Sequence, residues 1–203
     1  MSHVPRLFSA FLPVVLAALG TTATGCHTPH QCPILQGLTG GRIPAPLPPP
    51  GDSYTVVGYR EGLRFYIIQY NQTLYRGGDV LSREGADALK ALGIKTIIAV
   101  TPSDQERALA KEYGFALVEI PFGLNDLKKG HLDRFLAAVE KNPGPFYVHC
   151  FGGDLRAGIL LAHYRIHREG WTFDRALDEY RRLDANYWDS LGLVQVLKDN
   201  APR

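Results

Sequence analysis

The chain has 203 residues, 45% of them hydrophobic and 21% charged, a balance that suits one globular domain with additional segments. Its formal net charge is +2, and removing the first 25 residues takes away one Arg and no acid, leaving +1. A nearly neutral protein has no global field for polyanions, which sets nucleic-acid binding aside.

The N-terminus reads as a leader and not as part of the fold. Arg6 is the only charge in a short basic region, and Leu7 to Leu19 form a mostly apolar 13-residue stretch. That length matches a signal-peptide core and falls short of the roughly 20 residues of a spanning helix. Thr22-Ala23-Thr24-Gly25-Cys26 follows and resembles a bacterial lipobox, although Ala23 stands where Leu is usual. Two exported outcomes stay open, beside the plain alternative of a soluble chain with an apolar tail: lipidation at Cys26, giving a membrane-anchored lipoprotein, or ordinary cleavage nearby, giving a periplasmic protein. Export is the expectation in either case. The membrane then matters only through an N-terminal lipid or an uncleaved leader.

The three cysteines make an odd count. Cys26 and Cys32 can pair and leave Cys150 free, or Cys26 carries lipid and Cys32 is an unpaired thiol. Residues 26–51 include Gln36-Gly-Leu-Thr-Gly-Gly41 and Ile43-Pro-Ala-Pro-Leu-Pro-Pro-Pro-Gly51, an extended, semi-rigid tether. The folded domain is expected over residues 52–203.

Within it, Tyr54–Val57 and Leu63–Gln69 read as paired strands around Glu61-Gly62, with Leu74-Tyr75-Arg76 as a third short piece. Ser82 is placed to cap a helix running to Leu92, with Ala86, Leu89 and Leu92 at helical spacing. Ile94–Val100 reads as a buried strand. Ser103 caps a helix that ends at Tyr113-Gly114, where glycine suits the position after the last turn. Ala116–Ile120 is a further strand. The loop Pro121–Gly130 leads to a helix whose Leu132, Phe135, Leu136 and Val139 form one apolar face. Asn142-Pro-Gly-Pro145 ends that helix. Phe146–Val148 is the central strand, Ala157–Arg168 a helix, and Phe173–Leu183 and Leu191–Leu197 are two more. Strands alternating with helices predict an α/β fold with a mostly parallel central sheet flanked by helices.

The strand Phe146-Tyr147-Val148 runs through His149-Cys150 into a turn with Gly152 and Gly153, and Arg156 follows six places after the cysteine, just before the helix Ala157–Arg168. Strand, glycine turn and helix start make an anion cradle: unpaired amides point inward and the helix dipole adds positive potential. A thiol there is expected to ionise below its ordinary value of about 8.5. Arg156 can fork onto two phosphate oxygens. Thiolate and guanidinium facing one phosphate point to a cysteine-dependent phosphatase.

His149, Cys150, Gly153 and Arg156 match the signature His-Cys-x-x-Gly-x-x-Arg-Ser/Thr, and the segment resembles that of the protein tyrosine/dual-specificity phosphatase superfamily. Leu74–Gly78, Leu92–Ile98 and Gly170–Arg182 are similar to segments of its compact bacterial and fungal dual-specificity-like branch. The resemblance covers about residues 52–185. It implies two displacements through a phosphocysteine, with no cofactor and no metal. Cys150 attacks phosphorus, and Arg156 with the loop residues Phe151, Gly152, Gly153, Asp154 and Leu155 binds the substrate. His149 is expected to bond backbone around the thiolate, the plain alternative being a buried strand-end histidine. The family draws its general acid from the loop before the preceding helix, where Asp126 stands; a solvated turn or cap is the competing account. Asp133 falls opposite the apolar face of its helix and reads as surface. Asp154 is expected to point outward, since turned inward it would repel phosphate.

Ala157 departs from the pattern, because the family hydroxyl there stabilises the departing thiolate when phosphocysteine is hydrolysed. Slow turnover is expected, as in the phosphatases of regenerating liver, which also carry Ala. The loop has Phe151, Asp154 and Leu155 where relatives acting on inositol phosphates carry lysines. That leans toward phosphotyrosine in a protein, or another small phosphomonoester. Lys128 and Lys129 read as a charged loop tip. The second reading is a phosphate- or phosphoprotein-binding module whose turnover is lost.

Overall fold

The computed structural model describes residues 47–183 and 190–202. The leader, Cys26, Cys32 and most of the tether lie outside these residues. Six short strands form one sheet: β1 (Thr55–Tyr59), β2 (Tyr66–Asn71), β3 (Leu74–Gly77), β4 (Thr96–Ala99), β5 (Ala116–Glu119) and β6 (Phe146–His149). Their order across the sheet is β1-β2-β3-β6-β4-β5. β1, β2 and β3 pair antiparallel, while β3, β6, β4 and β5 run parallel.

The described helices are α1 (Arg83–Ala91), α2 (Asp104–Tyr113), α3 (Lys129–Lys141), α4 (Leu155–Arg168), α5 (Phe173–Leu183) and α6 (Leu191–Asp199). They divide between the two faces of the sheet, which explains why β3, β4 and β6 are buried along their whole length. On one face Ile67, Tyr75, Ile97, Ala99 and Tyr147 meet Ala86 and Leu89 of α1 and Leu109 and Ala110 of α2. On the other, Ile68, Ile98, Val148 and Cys150 meet the apolar sides of α3 to α6. α4 is buried on nearly every side, from Leu155 through Ile166, as expected for a helix between a sheet and other helices. Leu160 and Leu161 are fully enclosed there, each worth about 1.5–3 kcal/mol of transfer free energy. The buried Arg165 pairs with Glu179 at 3.0 Å and donates to the Ser53 carbonyl at 2.5 Å, tying α4 to α5 and to the start of the domain.

The fold class is as expected, with boundary corrections that have local causes. Ser103 accepts from the Glu106 amide at 3.1 Å, and Gly114 adopts φ 66 beyond α2. Ser82 does precede α1, but its hydroxyl donates to the Glu84 carboxylate in place of capping. The first pair of strands starts later than expected: Tyr54 forms only a bridge to Gly51, and Leu63 bridges to Val80. Residues 60–65 are thus an arm folded against the end of β3, with Phe65 held at φ 65. α4 begins at Leu155, two residues before Ala157, because Asp154 caps it.

Candidate active site

The site forms where the parallel strands end. Gly77 of β3 and Ala99 of β4 are both in register with His149 of β6, so the segments leaving these three strands emerge side by side. Ligands of open α/β sheets bind in this position. Alternation along β6 sends Tyr147 and His149 toward α1 and α2, and Val148 and Cys150 toward α3 to α6. Cys150 is free, 1% exposed, and at the base of the turn into α4. Gly153 has φ 75, and a Cβ on it would lie 2.2 Å from the Gly77 carbonyl. Only glycine lets this turn lie flat against the end of β3.

The backbone amides of Gly153 in the turn and Ala157 in the first turn of α4 favour the Cys150 thiolate, as does the Arg156 charge. The net effect nevertheless differs from the expected low-pKa thiol. Burial pushes the Cys150 thiol up, the neighbouring Asp154 carboxylate pushes it further, and these outweigh the amides and Arg156. Asp154 is responsible for a second correction. Its carboxylate does not point out to solvent; Oδ1 accepts the Leu155 amide at 2.8 Å and folds over Gly152, where a Cβ would be 3.0 Å away. One amide expected to face a phosphate is therefore occupied by the chain itself. The Leu155 side chain is in the core, Phe151 is 44% exposed at the rim, and Ala157 is fully buried.

Beneath the turn lies Arg76, 1% exposed, which sequence reading treated only as part of a strand. It donates to the Tyr70 hydroxyl at 3.0 Å and the Leu183 carbonyl at 3.1 Å. A Cβ on Gly158 would lie 2.8 Å from Arg76 Nη1, so this glycine makes room for the guanidinium under α4. Although burial lowers the Arg76 pKa, the Tyr70 and Tyr66 phenols, Asp154 and Cys150 raise it on balance, so a fixed cation underlies the turn. An arginine in an otherwise apolar strand was its only signal in the sequence.

His149 is corrected in its partners. Its ring is fully buried on the sheet face away from the sulfur and does not bond backbone around it. Nε2 lies 2.7 Å from Glu106 Oε1 and Nδ1 3.5 Å from Asp79 Oδ1, both off the hydrogen-bond line, with the Tyr147 ring stacked 5.7 Å away. Burial opposes the charged ring, yet the two carboxylates win and bring its pKa up to about 9. Asp79 and Glu106 were missed from sequence. Glu106 did leave a signal: it shares a helical face with Leu109 and Ala110 and is 2% exposed, an acid where an apolar residue belongs.

The loop after β5 reaches the cradle through the Phe122 carbonyl, which accepts from Arg156 Nη1 at 3.3 Å. Asp126 is exposed in that loop, its amide bonded to the Gly123 carbonyl at 3.2 Å. Its carboxylate turns back on Gly123, where a Cβ would lie 2.6 Å from Oδ2. Among the described residues no hydrogen bond or ion pair joins Asp126 to Cys150 or Arg156. Asp133 lies on the surface as expected, paired with Lys129 at 2.6 Å, which accounts for that lysine. Lys128 precedes α3, its amide donating to His131 Nδ1 at 3.1 Å.

Comparison with known proteins agrees with this architecture. The "Dual specificity protein phosphatase TpbA" of Pseudomonas aeruginosa strain UCBPP-PA14 is 29% identical over 119 residues, 57% of this chain and 53% of the relative. The chain thus spans about half the length of the curated relatives it matches. A crystal structure of P. aeruginosa TpbA in complex with pTyr superposes with a TM-score of 0.59 at 21% identity, covering 75% of this chain and 93% of that one. The core catalytic domain of the PP-IP phosphatase SIW14 from S. cerevisiae, in complex with citrate, gives 0.53 at 20% identity, covering 74% and 86%. These two likenesses concern the fold. Residues 66–188, more than half of the chain, match the family model described as PTP-NADK, DSP-PTPase phosphatase fused to NAD+ kinase, and the chain belongs to that phosphatase family.

Proposed function

We propose that this protein is a cysteine-dependent phosphomonoester hydrolase with slow turnover. The observation that carries the reading is the place of the buried Cys150, between the end of β6 and a turn that Gly153 presses against β3, with Arg156 in the first turn of the helix that follows. Once its proton has left, Cys150 Sγ attacks phosphorus as the ester oxygen departs, forming a phosphocysteine. Arg156 and the free loop amides hold the equatorial oxygens while charge redistributes. Asp126 donates the proton to the leaving oxygen after a side-chain rotation off Gly123. Water then breaks the S–P bond, releasing inorganic phosphate and restoring the thiol. Ala157 offers no hydroxyl to the leaving sulfur, and this second step sets the rate.

Phosphotyrosine fits the single anion site best. The TpbA complex with pTyr supports this choice, as does a loop without lysines. Residues 1–25 direct export, and the protein works at the periplasmic side, free or anchored through Cys26. The test is reduced protein with para-nitrophenyl phosphate and phosphotyrosine peptides, beside Cys150→Ser. Turnover lost with the thiol is the expected result. The raised thiol and Ala157 favour a second reading, a phosphoprotein-binding module; tight vanadate or phosphopeptide binding without turnover would establish that one instead.

A further inference from the structure

Asp79 stands two residues past the end of β3 and meets the cysteine turn from behind. Its amide donates to the Phe151 carbonyl at 3.4 Å, and its carbonyl accepts the Arg64 amide at 2.9 Å. Oδ1 accepts the Thr101 hydroxyl at 2.7 Å and lies 3.5 Å from His149 Nδ1. Oδ2 lies 3.4 Å from Arg64 Nε, and the Arg64 guanidinium is stacked 3.9 Å above the Phe151 ring. One residue thereby grips both neighbours of Cys150: His149 through its ring, and Phe151 through its carbonyl and, by way of Arg64, its side chain.

The surroundings make this grip stiff. A Cβ on Gly78 would lie 2.1 Å from the Arg64 carbonyl, and the Tyr147 hydroxyl donates to the Gly78 carbonyl at 2.7 Å. The arm carrying Arg64 is itself fixed by the Leu63–Val80 bridge and by Leu81 N–H on the Gly62 carbonyl at 2.7 Å. The groups facing the Asp79–His149 pair are Glu106 from α2, the Tyr147 ring from β6, Thr101 from the segment after β4, and Arg64 from the arm. Burial pushes the Asp79 carboxyl up, but the close His149 ring, the hydrogen bond from Thr101 and the Arg64 charge hold it below its ordinary value. The carboxylate is charged wherever the fold is intact at neutral pH.

We propose that Asp79 is a positioning residue for the Cys150 turn, fixing the backbone on both sides of the sulfur so that it faces the Gly153 and Ala157 amides and Arg156. The proposal rests on the reading of Cys150 as nucleophile. A carboxylate that only stabilised the Arg64 arm would change the melting behaviour and leave the sulfur's reactivity alone. A misplaced sulfur changes its own chemistry, since displacement by about 1 Å can cost on the order of 100-fold in rate.

The test compares wild type with Asp79→Asn, Asp79→Ala and Asp79→Glu in reducing buffer from pH 5.5 to 9. Two readouts are taken: kcat and KM for para-nitrophenyl phosphate, and the rate of Cys150 alkylation by iodoacetate, which needs no turnover. Urea unfolding of each variant gives the folded fraction, and Asp79→Asn keeps the side-chain shape if Asp79→Ala does not fold. In Asp79→Asn, kcat per folded molecule is expected to fall about tenfold or more with KM within threefold. The pH profile of alkylation is expected to shift, and Asp79→Glu is expected to restore part of both. An Asp79→Asn protein with wild-type alkylation profile and kcat overturns the proposal and leaves the hydrolase reading standing. A wild type without turnover, whose alkylation profile still moves with Asp79, overturns the hydrolase reading and supports the positioning role.

Discussion

The buried His149 ion pairs predict an alkaline loss of stability confined to a narrow window. The folded pKa of about 9 lies above the ordinary value of 6.5, so between these pH values the native state retains a proton that the unfolded chain has lost. The stabilisation is therefore complete below about pH 6.5 and disappears as pH rises through 9. A difference of about 2.5 units at 1.36 kcal/mol each amounts to about 3 kcal/mol. With an m-value near 2 kcal/mol/M, the urea midpoint should fall by about 1.5 M between pH 6 and pH 9.5. The raised Cys150 thiol would add a loss of the same sign, so the measurement belongs in Cys150→Ser protein. A His149→Gln/Glu106→Gln double variant on that background replaces the closest charged pair by neutral groups of similar reach. It should show a shallow slope, due to tyrosines such as Tyr70 that burial holds protonated to higher pH. A midpoint that does not change over this range in Cys150→Ser protein, or falls equally in the double variant, would refute the assignment of a charged His149.

Three other changes probe the turn itself. Ala157→Ser should raise steady-state turnover of para-nitrophenyl phosphate severalfold by giving the departing sulfur a hydrogen bond, worth about 1 kcal/mol. Unchanged turnover and no burst phase in the wild type would count against slow dephosphorylation. Asp154→Asn removes the charge that raises the Cys150 thiol, so alkylation by neutral iodoacetamide at pH 7 should accelerate; an unaltered rate would mean that burial alone sets the thiol. Gly153→Ala places a methyl group 2.2 Å from the Gly77 carbonyl at φ 75 and should cost about 2–3 kcal/mol in urea unfolding, with loss of vanadate binding. Wild-type stability in that variant would show that the turn is not pressed against β3.

What the sequence made legible was local. Phe146-Tyr147-Val148 declared a buried strand, Gly152-Gly153 a turn and Ala157–Arg168 a helix, and those three assignments suffice to put Cys150 and Arg156 in one cradle. Strand starts were less legible, because Leu63 and Tyr54 carry strand composition but are buried by bridges instead of ladders. The electrostatics were not legible at all. His149 and Cys150 are adjacent in sequence yet face opposite sides of the sheet, and the partners of His149 lie 70 and 43 positions earlier. Arg76 and Asp154, two fixed charges of opposite sign at the turn, depend on which way two side chains turn after folding. A motif specifies which groups meet, while burial and the orientation of one carboxylate decide their protonation.

That distinction alters how the proposed chemistry has to begin. A helix-start cysteine is usually taken as a standing thiolate, but burial and Asp154 keep the Cys150 proton in place in the unliganded site. A phosphate dianion entering beside an existing thiolate would add two negative charges to those of Asp154 and the sulfur, four in all against the two of Arg76 and Arg156. If the thiol instead passes its proton to the entering dianion, the bound pair is a thiolate and a phosphate monoanion, and the total charge of the site does not change. The resting thiol is then the less oxidisable form, since oxidation follows thiolate character and exposure, and Cys150 has little of either. In a protein proposed to work outside the cytoplasm, a nucleophile protonated until substrate arrives reconciles the cysteine's chemistry with its surroundings. The same protonation makes capture and attack pH-coupled, so kcat/KM should follow ionisation of the combined thiol–phosphate system and not that of a free thiolate.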